Sequence, residues 1–181
     1  MTMEPTDVSL SRKALPKNLA EFLDMMHGIG EAVPAPSPTA VRLATALAER
    51  LDALVPAPFR VHAEGGWVSR FNGGQWDGSA EVAGILDQDL SAERKDRWEP
   101  HDWPFVDRVV TISYNVLNSV QDMISEGTTE PWPRLPRGGM ANPGTRADLQ
   151  RVYLWYGPDS KSEDGAVLLL PPIALAALEH D

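Results

Sequence analysis

The chain has 181 residues, no cysteine, and 26 acidic against 16 basic residues, for a formal net charge of −10. The missing cysteine excludes a disulfide scaffold, the usual zinc finger, an iron–sulfur site and a thiol nucleophile. The acid excess argues against a nucleic-acid binder, which draws its affinity from Lys and Arg on phosphates.

Taken in chain order, residues 1–17 show no pattern and read as a tail. Asn18 to Met26 reads as a short helix, with Asn18 and Glu21 spaced as a capping box and Leu19, Phe22, Leu23 and Met26 on one face. Val33 to Pro38 carries three prolines and reads as an extended connector. Ser37 is a good N-cap and Pro38 a good first helical residue, so a helix is predicted from there to about Leu54. Its expected buried stripe is Val41, Ala44, Leu47, Ala48, Leu51, Leu54 and Val55.

Phe59, Val61 and Ala63 alternate with Arg60, His62 and Glu64, then Gly65-Gly66 offers a tight turn and Trp67 to Phe71 returns. That is a hairpin. Asn72-Gly73-Gly74 is a turn or the approach to another strand. From Ser79 to Leu90 several apolar residues fit a helical face loosely, against the cost of Gly84. Ser91 to Trp98 reads as a charged helical segment. Pro104 can open a long helix ending at Gly127, since Val106, Val109, Val110, Val116, Leu117, Val120, Met123 and Ile124 keep helical spacing. Residues 128–150 read as irregular, and the prolines of Glu130 to Pro136 as an extended stretch. Arg151 to Tyr156 and Ala166 to Leu170 read as strands around a polar loop. Pro171-Pro172 should end the second, and Ile173 to Leu178 reads as a final helix.

These elements predict an α+β fold: an antiparallel sheet of about four strands in two hairpins, two main helices on one face, and an N-terminal helical arm. Residues 1–37 form the tail, short helix and linker; residues 38–181 form the domain. The element order is similar to that of small secretion-chaperone-like domains, an analogy of order that carries no residues over. No apolar run approaches the roughly 20 residues of a membrane span. No signal peptide is visible. A cytoplasmic location is therefore expected. Arg outnumbers Lys 12 to 4, and with the frequent Ala and Pro this points to a GC-rich bacterial gene.

Dinucleotide, Walker A, zincin, EF-hand and nucleophile-elbow motifs are absent. No cofactor is implied. The four histidines each stand alone in sequence. A metal or acid–base site could be built only around Glu99-Pro100-His101-Asp102, with Asp87 and Asp89 upstream. Asp102 can equally cap the helix that follows Pro104.

The charge is uneven. Residues 61–107 hold ten acids and four bases, and the same stretch holds Trp67, Trp76, Trp98 and Trp103 of the six tryptophans. Indole combines a large apolar area with one donor and suits a half-buried contact surface. The leading expectation is a non-enzymatic protein-binding module, of adaptor, chaperone-like or immunity type, for a partner with a basic surface. Its contact residues would be Trp76, Trp98, Trp103 and Trp132, with Asp87, Asp89 and Glu99 supplying charge. The alternatives are an enzyme centred on His101 and Asp102, and a structural subunit that exchanges residues 1–37 as an arm.

Overall fold

The computed structural model describes residues 35–87 and 104–179. The expected helix at 18–26 and the segment 91–98 lie outside them. The described part is α+β, with two three-stranded antiparallel sheets and four helices. No described helix is long and apolar enough to cross a membrane.

Helix α1 (Pro38–Asp52) starts as its sequence dictates. Ser37 accepts the Ala40 N–H on its hydroxyl at 3.1 Å, and proline occupies the first turn. Its buried residues are Ala40, Leu43, Ala44, Leu47, Ala48 and Leu51. The stripe is therefore rotated slightly from the expected one, with Ala40 and Leu43 inside and Val41 half-buried. Strands β1 (Phe59–Glu64) and β2 (Trp67–Asn72) form the expected hairpin.

A third strand, β3 (Gln75–Glu81), then pairs with β2 to complete the first sheet. The one-turn helix α2 (Ala83–Leu86) follows. Asn72-Gly73-Gly74 thus leads into another strand, and the helical face expected over Ser79 to Leu90 is cut back to Ala83–Leu86, because residues 79–81 belong to β3.

Helix α3 (Phe105–Thr128) is the long helix, and Asp107 in its first turn complements the helix dipole. The second sheet is β4 (Asn142–Ala147), β5 (Arg151–Gly157) and β6 (Leu168–Ala174), with helix α4 (Ala176–Glu179) after it. Two expectations are corrected here. Residues 142–147 are a strand despite Pro143 and Gly144, and β6 runs through Pro171-Pro172 instead of ending there. Both are edge strands, where a missing N–H or side chain is tolerated on the unpaired side. The ladder between β5 and β6 shifts register between Val152 and Leu154, opposite the two prolines. The single four-stranded sheet is thus two sheets of three.

One apolar core joins α1, α3 and the inner faces of both sheets. Polar ties cross it. Tyr156 donates its buried hydroxyl to the Leu117 carbonyl at 2.8 Å, Gln121 donates to the Ala141 carbonyl at 2.6 Å, and Thr145 donates to the Val110 carbonyl at 3.2 Å. Arginines clamp elements together through backbone carbonyls. Arg42 reaches Leu178, Arg50 reaches Pro171 and Pro172, Arg70 reaches Ser119, and Arg108 reaches Leu86. A planar fork of donors suits this task, and an ammonium would not replace it. These four positive charges are turned to internal use.

Burial pushes the Tyr156 phenol far above its ordinary value of 10.0, with Asp122 adding to the effect. The sign follows from proton counts. Above that ordinary value the unfolded chain loses this proton and the folded one keeps it, so stability is intact below it and declines above it. The slope is about 1.4 kcal/mol per pH unit. Tyr156→Phe is expected to lose about 1 kcal/mol at neutral pH and to show a correspondingly flatter decline on the alkaline side. Urea midpoints of both proteins between about pH 8 and pH 11 test this. Parallel declines would show that Tyr156 does not stay protonated in the fold.

Candidate functional site

The register of the first sheet sorts its residues onto two faces. On the inner face lie Phe59, Val61, Ala63, Val68, Arg70, Gly78 and Ala80. On the outer face, three rows of directly paired residues run across the strands: Glu64–Trp67–Glu81, His62–Ser69–Ser79 and Arg60–Phe71–Trp76. The inner face belongs to the core. Phe59 abuts Gly127 of α3, and Arg70 bonds Ser119 of α3 at 2.6 Å through the carbonyl and 2.8 Å through the hydroxyl. Trp67, Phe71 and Trp76 are half-buried and take no part in the core cluster.

Trp76 reaches this face because of a bulge. Strict alternation would put it on the same side as Gly78 and Ala80. The ladder shifts between Arg70 and Phe71, leaving Asp77 as an extra residue between Gly78 and Trp76, and this reverses the direction of Trp76. Arg70 supports the bulge from below, donating to the Asp77 carbonyl at 3.3 Å. Gly78, at φ +131°, leaves the space its guanidinium needs: a Cβ there would lie 2.3 Å from Nη2.

Once outside, Trp76 is held by a directed chain. Its indole N–H donates to the Ser79 hydroxyl at 3.1 Å, and the Ser79 and Ser69 hydroxyls are 2.9 Å apart. Ser69 donates to Glu64 Oε2 at 3.1 Å. Each hydroxyl has one proton, so with Ser69 donating to Glu64, Ser79 must donate to Ser69. The chain runs from indole to carboxylate and sets the orientation of the ring. The His62 and Phe71 rings meet at 5.5 Å on the same face. Arg60 is engaged by Asp52 in a bidentate pair at 2.8 and 2.7 Å, which holds the Asp52 carboxyl below its ordinary range. Burial pushes the Glu81 carboxyl up, opposed by a hydrogen bond from the Gly84 N–H.

Of the contact residues expected from sequence, Trp76 lies on this face. Asp87 does not: its carboxylate accepts the Ser37 N–H at 2.6 Å and the Ser37 hydroxyl, tying the start of α1 to the end of α2. Trp132 also lies elsewhere. It packs on the core with its ring edge-on to Tyr156 at 5.3 Å, and its backbone N–H donates to the Ser125 hydroxyl at 3.3 Å. Trp98, Trp103, Asp89, Glu99, His101 and Asp102 lie outside the described residues. Among the described residues, no group of three or more His, Asp or Glu could hold a metal ion.

Comparisons with family models, curated proteins and solved structures found no match. The site therefore rests on its own geometry. Sequence reasoning passed over Trp67, Phe71, Glu64, Ser69 and Ser79 as a group. The signal was present for the first two strands, whose alternation puts 60, 62 and 64 on one face and 67, 69 and 71 on one face. Without β3, neither the serine chain nor the position of Trp76 could be seen.

Proposed function

We propose that this protein is a non-enzymatic binding module that engages another protein through the outer face of the first sheet. The observation that carries the reading is the anchored Trp76, paired directly with Phe71 and sharing with Trp67, two rows away, a face where none of the three joins the core. Aromatic anchors whose orientation is fixed beforehand lose little entropy on binding and dominate contact energies. The net charge of −10, with Glu64 and Glu81 on this face, favours a partner with a basic surface. An adaptor, a chaperone-like factor or an immunity-type factor would each use such a face.

The test is quantitative capture of partners by the tagged protein from its source cells, followed by binding of the purified partner. Trp76→Ala is expected to weaken that binding by roughly tenfold or more. Leu169→Ser, on the exposed outer side of the second sheet, should leave it unchanged. A partner set that is identical for wild type and Trp76→Ala would refute this contact face.

A further inference from the structure

We infer that the Glu64–Trp67–Glu81 row is a receptor for an arginine side chain of the partner. This rests on the contact face proposed above and names the chemistry it reads. Trp67 pairs directly with Glu64 on one side and Glu81 on the other. Directly paired residues on one face have Cβ atoms about 5 Å apart. Trp67 is therefore rooted between two glutamates, at the end of the sheet away from Arg60.

Among the described residues the charges here are uncompensated. Arg60, the base on the same face, is bound to Asp52 at the end of α1. Neither Glu64 nor Glu81 has an ion-pair partner among the described residues. Glu64 is also aimed. Ser69 holds its Oε2, and no other hydrogen bond to this carboxylate occurs among the described residues, so Oε1 is left to accept. The Glu81 carboxylate lies over Gly84 at the head of α2, where an added Cβ would be 2.5 Å from both of its oxygens.

A flat cation fits this arrangement. A guanidinium stacked on the indole is attracted by the ring face. Its N–H groups lie in its own plane and point sideways, within reach of the glutamates rooted on either side of Trp67. An ammonium keeps its hydration and has no plane to stack, so lysine would be held more weakly.

The test uses the full-length protein and short peptides of equal length in which serine alternates with arginine, lysine or citrulline. Binding is followed by calorimetry. The arginine peptide is expected to bind roughly tenfold more tightly than the lysine peptide, with the citrulline peptide weaker than both. Trp67→Ala and Glu64→Gln should each cost the arginine peptide roughly tenfold and the lysine peptide much less. Glu64→Gln keeps an acceptor for Ser69, so its melting temperature should match wild type and its binding loss report on charge. Equal binding of arginine and lysine peptides, or an unaltered affinity for the arginine peptide in Glu64→Gln, overturns the receptor. If binding is then still lost in Trp76→Ala, the contact face stands without it. If no peptide binds and partner capture ignores Trp76, both fall.

Discussion

Gly144→Ala is expected to destabilise the protein by about 3 kcal/mol, a large part of a domain's usual margin. Gly144 on β4 is paired directly with Trp155 on β5, and the indole lies across it. A Cβ added there would sit 2.1 Å from Trp155 Cε2 and 2.4 Å from Cζ2 and Nε1. Neither side can yield cheaply. The indole is fully buried, its N–H donates to the Asp159 carbonyl at 3.0 Å, and β4 is tied to α3 through Thr145. Overpacked sites of this kind relax only by moving backbone or leaving rotamer wells.

A double-mutant cycle identifies the cause. Trp155→Val alone should cost about 3 kcal/mol through the lost burial. Combined with Gly144→Ala it should cost about 2 kcal/mol less than the two added together, because the added methyl then meets no ring. Urea unfolding of the four proteins measures both quantities. A Gly144→Ala protein as stable as wild type would show that the close approach of ring and strand is not the native packing.

Arg70→Met is expected to cost about 2 kcal/mol and to weaken partner binding with it. The side chain is half-buried, and that burial pushes its pKa down, while Asp77, Asp122 and Glu126 pull it up. Methionine fills similar volume but donates nothing to Ser119 or Asp77. Arg70→Lys should recover only part of the loss, since one ammonium cannot reach both the Ser119 groups and the Asp77 carbonyl as a fork does. Arg70 also supports the bulge that turns Trp76 outward. The predicted signature is therefore a joint fall in stability and in affinity, whereas Gly144→Ala should leave affinity intact at temperatures where the protein is folded. If Arg70→Met binds partner as wild type does, the bulge holds without the arginine.

Much of the fold was legible in the sequence. Ser37 and Pro38 marked the start of α1, and the glycine pair after Glu64 marked the first hairpin. The helical spacing from Val106 to Ile124 marked α3 to within a residue at each end. The candidate site was legible only in part. Trp76 was picked out for its residue type, but its neighbours were not, because they come from three strands and the residues of the third, beyond the Asn72-Gly73-Gly74 turn, were not assigned to it. Asp87 and Trp132 were singled out by charge and by proline context, and neither feature reports direction. One is turned toward Ser37 and the other toward Tyr156.

The division has a physical reason. Caps, helical periodicity and two-residue turns are local: their energies depend on residues within a few positions, and the sequence by itself determined them here. It also determined the acidic, cysteine-free composition and the cluster of tryptophan and acid between residues 61 and 107. Strands β3, β4 and the proline-bearing β6 exist because a neighbouring strand supplies their hydrogen bonds, a non-local gain that overrides weak intrinsic propensity. The direction of Trp76 depends on a one-residue bulge, which Arg70 supports from β2 while reaching α3 across the core. Only the tertiary structure could decide that, because an alternation of period 2 reverses with a single extra residue and nothing adjacent in the chain records the shift.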